Sequence, residues 1–103
     1  MFKKKKKKDI HEECWDLDYT MIDWLIEHLK VFEEDASKCI NMEFHKFEYK
    51  GEIVPFGVLL SKLIDKLIEL KTLMDELREP NRAEELKNEA FELLSLIFWC
   101  LWW

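Results

Sequence analysis

Four side chains in this 103-residue chain have the chemistry to hold a soft divalent metal: His11, Cys14, Cys39 and His45. Imidazole nitrogen and thiolate sulfur make up the usual tetrahedral zinc set, but the spacing argues against it. Neither His11-x-x-Cys14 nor Cys39-x5-His45 is a Cys-x-x-Cys knuckle, and the length of a helix separates the two pairs. Cys39 reads instead as a small core residue, His28 as a helix-surface residue and His45 as part of a connection. A second chemistry is cation-assisted attack on phosphate, for which Glu76-x-x-Glu79 and Glu89-x-x-Glu92 offer paired carboxylates. The first pair ends beside Pro80, and a chain with 22 acidic residues produces such pairs by chance. Ser37, Ser61 and Ser95 sit in no Gly-x-Ser-x-Gly elbow, and Gly51 and Gly57, the only glycines, cannot build a phosphate-cradling loop. The expectation is a protein that is not an enzyme and uses no cofactor and no metal.

Charge divides the chain in two. Lys3, Lys4, Lys5, Lys6, Lys7 and Lys8 form a basic run, while from Asp9 onward 10 basic residues face 22 acidic ones. Like charges this close repel, so residues 1–12 are expected to be a disordered basic tail, with the lysines as candidate contacts for an anionic ligand or for the protein's own acidic surface. The acidic body argues against a nucleic-acid groove, and no specific nucleic-acid binding is expected. No run of about 20 apolar residues is present to cross a bilayer, and no secretory apolar region follows the lysines. Cys14, Cys39 and Cys100 are odd in number and far apart, which favours reduced thiols in an intracellular, soluble protein.

With 49% hydrophobic and 37% charged residues, and only two glycines and two prolines, the composition predicts one all-α domain over residues 13–103. A first helix is expected over residues 16–40, capped by Asp16 or Asp18. Tyr19, Ile22, Leu25, Ile26, Leu29, Phe32 and Ala36 form its apolar stripe, which Met21, Trp24 and Val31 widen enough to touch two neighbours. Residues 41–55 stay open between a helical continuation and a short hairpin or extended connection, punctuated by Gly51 and Pro55. The second helix, residues 56–78, carries the strongest signal: Phe56, Leu60, Leu63, Leu67, Leu70, Met74 and Leu77 step by four and three, a heptad seam. Leu59, Ile64, Ile68 and Leu73 broaden it beyond a two-stranded zipper. Pro80 ends that helix, and Asn81 with Glu84 suggests a capping box for a third, residues 82–102, folded back antiparallel. Leu86, Ala90, Leu93, Ile97 and Cys100 repeat the seam spacing, so the last two helices should form an αα-hairpin within a three-helix bundle.

From Leu93 to Trp103 only Ser95 is polar. A three-helix monomer covers one side of such a segment, so Phe98, Trp99, Leu101, Trp102 and Trp103 are the candidate interface of a homo-oligomer. A membrane-surface foothold assisted by the lysines is the competing reading, set against the acidity of the body.

Trp15-Asp16-Leu17-Asp18-Tyr19, followed by a Leu- and Ile-rich helix, a second apolar helix and a closing Trp102-Trp103, resembles a group of small tailed-bacteriophage helical proteins that open with Trp-Asp-x-Asp-Tyr and close on a tryptophan pair. The resemblance implies a viral accessory protein in the host cytoplasm and carries no active-site residues. The two glutamate pairs also resemble, more distantly, those of all-helical nucleotide pyrophosphohydrolases of the MazG type. Non-catalytic, stoichiometric binding is therefore the expected mode of action, with a host defence protein as target and acidic side chains standing in for phosphates. The alternative is an oligomer that sequesters a signalling nucleotide, with Trp15 and Tyr19 as aromatic contacts for its base and the lysine run for its phosphates.

Overall fold

The computed structural model describes residues 10–102. Four helices, a two-stranded antiparallel sheet and a closing 3-10 turn follow in the order α1 Ile10–Glu13, α2 Leu17–Cys39, β1 Lys46–Tyr49, β2 Glu52–Pro55, α3 Phe56–Glu76, α4 Pro80–Ile97 and Phe98–Cys100. The chain is thus mainly helical, as composition and periodicity require, with α3 and α4 as the long antiparallel pair. Purely all-α it is not, because the open segment folds as a β-hairpin. Residues 10–12, assigned to the tail, are the first part of α1; the lysine run lies outside the described residues.

The hairpin follows from its turn. Lys50 and Gly51 both adopt positive φ, 51° and 81°, the pair of left-handed residues that a two-residue turn needs to match the strand twist. Tyr49 then pairs with Glu52 and Phe47 with Val54. The alternation puts Phe47 and Tyr49 on the side that packs against the helical core. The segment before the hairpin also caps α3 through main-chain carbonyls: the Phe56 N–H donates to His45 O at 2.8 Å and the Gly57 N–H to Met42 O at 2.9 Å. That approach leaves no room for a side chain at position 57, where a Cβ would lie 2.9 Å from the Met42 Cβ. Alanine normally favours a helix over glycine by about 0.5 to 1 kcal/mol, yet Gly57→Ala is expected to lose about 1 to 3 kcal/mol by forcing the two segments apart. A thermal melt showing Gly57→Ala more stable than the parent would contradict this contact.

Several helix ends differ from those the sequence predicts. Asp16 precedes α2 in a left-handed conformation and makes no side-chain cap, while the Asp18 carboxylate accepts the Tyr19 N–H at 2.8 Å. The expected capping box of Asn81 and Glu84 does not form, because α4 starts earlier, with Pro80 at its first turn, where the missing N–H costs nothing. Leu77, the expected last residue of the α3 seam, is 91% exposed. It sits at φ 51° while Arg78 N–H reaches back to Leu73 O, so the chain leaves the helix through a left-handed turn that swings the leucine into water.

The core is the seam of α3 covered from two sides. Phe56, Leu60, Leu63, Leu67 and Leu70 are buried, as are Leu59, Ile64 and Leu73 beside them. From α4 come Leu86, Ala90, Leu93 and Ile97, and from α2 Ile22, Ile26, Leu29 and Ala36. Both flanking helices run antiparallel to α3. Asp23 meets Lys71 at 2.6 Å on one side, and on the other Glu89 meets Lys66 at 2.8 Å. Close helix packing occurs between α3 and α4 and between α2 and α3, whereas α2 and α4 barely touch. The molecule is accordingly flattened, 42 × 41 × 20 Å, and α2 and α4 stand apart above the C-terminal part of α3, at Leu70 and Met74.

Candidate interaction surface

Helix α2 has a second apolar face besides the one it buries. Leu17, Met21, Trp24 and Val31, with His28 completing the series, step by four, three, four and three along its solvent side, and Trp24 is 56% exposed. The periodicity predicts Met21, Trp24 and Val31 as a widening of the buried stripe, and all three are exposed instead. A usable signal was present in their spacing, which repeats the 3.5-residue period of the α3 seam. Trp24 and His28 stack with ring centroids 3.9 Å apart and planes 17° from parallel, and His28 Nδ1–H donates to Trp24 O at 2.8 Å. Asp18, Glu27, Glu34 and Asp35 flank this stripe.

Beside it, the separation of α2 from α4 opens a cleft of about 400 Å3. Leu70 and Met74 of α3 form its floor, Met21 and Ile22 one wall, Ala83 and Phe91 the other. Asp18, Glu84 and Lys87 stand at the mouth. Lys87 donates to Glu84 at 2.9 Å, which holds that carboxyl below the usual carboxylate range. An apolar floor under an acidic lip suits an apolar side chain next to a cation.

At the far end of α4 the expected aromatic segment is only partly helical. Regular α-helix stops at Ile97 and tightens into the 3-10 turn, a common way to end a helix whose last carbonyls have no following N–H groups. Cys100 and Leu101 pack on the core, and burial pushes the Cys100 thiol up, away from a reactive thiolate. Phe98 and Trp99 meet edge to face at 5.1 Å yet remain exposed, as does Trp102. Trp103 and Lys3 to Lys8 lie outside the described residues.

Among the described residues no phosphate site assembles around Trp15 and Tyr19. Trp15 is exposed in the turn after α1, whereas Tyr19 is half-buried beside Asp75, whose carboxylate at the hydroxyl raises the phenol above its ordinary range. Lys71, 5.7 Å from the Tyr19 ring, is already bound to Asp23, and that partner raises its pKa. The glutamate pairs are likewise apart: Glu76 and Glu79 both pair with Arg78 at the turn, and Glu89 lies ten residues along α4, about 15 Å away. Among the described residues no three potential ligand side chains converge on a point, and Cys14 and Cys39 are exposed free thiols. Cys39, expected as a small core residue, is exposed, because the buried stripe of α2 ends at Ala36. No helix of the described residues is long and apolar enough to cross a membrane.

Glu89 has a structural task, since the half-buried Lys66 ammonium beside it holds its carboxyl below the ordinary range. A lowered folded pKa gives stability that is fully present above the unfolded value of 4.5 and is lost as pH falls through the lower folded one. Glu89→Gln is therefore expected to cost up to about 1 kcal/mol near pH 7, a difference that shrinks toward about pH 3 in parallel urea titrations. An equal deficit at both pH values would mean that the charge is not what matters.

No protein-family model, no curated protein and no solved structure matches this chain.

Proposed function

We propose that the protein is a non-enzymatic viral accessory protein that binds a host protein stoichiometrically and so antagonises a host defence system. One observation supports this most: an acidic body leaves several large aromatics uncovered, with Trp99 81% and Trp102 76% exposed, where a small self-sufficient domain buries such side chains. Aromatics at interfaces supply most of the binding energy, and surrounding carboxylates select a basic partner. The resemblance at Trp15, Asp16, Asp18 and Tyr19 supports the viral setting, and with it the host cytoplasm. The C-terminal segment Phe98, Trp99, Leu101, Trp102 and Trp103 is also proposed as the interface of a homo-oligomer, in which the exposed Phe98, Trp99 and Trp102 would lose their contact with water.

Tagged full-length protein passed through host lysate, with bound proteins and bound nucleotides both analysed, is the direct experiment. A saturable protein partner at fixed ratio, with no turnover, is the expected result. Recovery of a nucleotide alone would favour sequestration, although four carboxylates near Tyr19 weigh against an anionic ligand there. Mg2+-dependent hydrolysis of a nucleoside triphosphate that disappears in Glu89→Gln would overturn the proposal in favour of a pyrophosphohydrolase.

A further inference from the structure

Taking the binding reading above as premise, we infer that the outward face of α2 is a docking seam for one amphipathic helix of the partner, apolar along one stripe and basic along its flanks. A helix needs a single apolar stripe to join its own domain, and Ile22, Ile26, Leu29 and Ala36 already supply it. Leu17, Met21, Trp24, His28 and Val31 form a second stripe pointing away from that core. Their period of 3.5 residues keeps side chains in register with a second helix over many turns; a strand or a small molecule has no use for it. From Leu17 to Val31 the stripe runs about 21 Å, room for four turns of a partner helix.

Met21 belongs both to this stripe and to the wall of the cleft between α2 and α4. A helix lying on the seam can therefore drop one large apolar side chain onto Leu70 and Met74, the arrangement in which interface anchors contribute most. The stack of Trp24 on His28 holds the largest side chain of the seam in place before the partner arrives, which lowers the ordering cost of binding.

Charge selects the occupant. Asp18, Glu27, Glu34 and Asp35 line the seam and Glu84 stands at the cleft mouth. Of the cations nearby, Lys38 pairs with Glu34 at 3.9 Å and Lys87 with Glu84 at 2.9 Å, while Lys30 stands exposed between Glu27 and Glu34, so the carboxylates still outnumber the cations five to three. A second copy would bring one acid-rich seam, with Asp18, Glu27, Glu34 and Asp35, against another, and an anionic lipid surface would be repelled. Lysines or arginines on the flanks of the incoming helix turn each of these costs into an attraction.

The experiment uses full-length protein and two labelled synthetic helices of roughly 18 residues with the same leucine seam, one flanked by lysine and arginine, the other by glutamate. Fluorescence anisotropy at physiological salt should show saturable one-to-one binding of the basic helix alone. Trp24→Ser, and separately Glu27→Lys with Glu34→Lys, should each weaken it about tenfold or more, with circular dichroism confirming an unchanged fold. Trp99→Ser with Trp102→Ser should leave it intact. Equal binding of both helices, no binding of either, or indifference to Trp24→Ser would overturn the seam. Loss of binding only with Trp99 and Trp102 would move the interface to the C-terminal end, leaving the binding reading standing while this one falls. If Trp24→Ser instead dissociates an oligomer of the protein itself, the occupant is a second copy and the basic partner is wrong.

Discussion

Leu93→Ala, and with it Leu63→Ala, is expected to remove about 2 to 5 kcal/mol of stability, out of a total of about 5 to 15 for a domain of this size. Leu93 is fully buried and Leu63 is 1% exposed, and they belong to the facing apolar stripes of α4 and α3. Truncation loses the transfer free energy of the removed carbons and leaves a void that rigid helices cannot close. The effect should be severe because the domain has one core: α2 and α4 barely touch each other, so both depend on the α3 seam. Leu77→Ala is the matched control, a leucine of the same heptad series whose side chain lies in water, and it should cost under about 0.5 kcal/mol. Urea denaturation followed by circular dichroism measures all three. Equal losses at positions 63 and 77 would mean that the seam is not the core.

Self-association should disappear when Trp99 and Trp102 are replaced together by serine. Both project into solvent from the closing turn, while their neighbours Cys100 and Leu101 are tied to the core, so the pair is presented on a firm base. Burying two tryptophans at about 150 to 250 Å2 each, at roughly 25 cal/mol per Å2, is worth on the order of 7 to 12 kcal/mol before the entropy of association. Equilibrium sedimentation without detergent should show an oligomer for the parent and a monomer for the double variant. A parent that is monomeric at every concentration, or a variant that associates equally well, would refute the interface. Liposome binding lost on the same substitution would show instead that the aromatics face lipid.

Much of the helical framework is legible in the amino-acid sequence. The heptad of α3, the matching heptad of α4 and Pro80 between them leave little but an antiparallel hairpin, because each apolar stripe needs a cover and the connection is too short to offer another. Charge likewise predicts an acidic body after the lysine run. Periodicity, however, reports that a face is apolar without saying what covers it. Met21, Trp24 and Val31 carry the same signal as Ile22, Ile26 and Leu29, and which stripe was buried depended on where α3 arrived along α2. Leu77 keeps the seam spacing yet is solvated, since a left-handed turn fixed by main-chain bonds to Leu73 and Met74 outweighed it.

The sequence by itself determined the local and repetitive features: three long helices near their observed places, the α3 and α4 core residues, the acid surplus and the aromatic C-terminal end. Tertiary structure alone decided the features made by residues distant along the chain. These are the hairpin seated under the start of α3, the contact of Gly57 with Met42, the pairing of Glu89 with Lys66, and the cleft that Met21 and Phe91 share across the gap between α2 and α4. The physical reason is range: helix propensity and hydrophobic period act over a few residues, whereas exposure and cleft shape depend on which distant surfaces meet and which are left facing water.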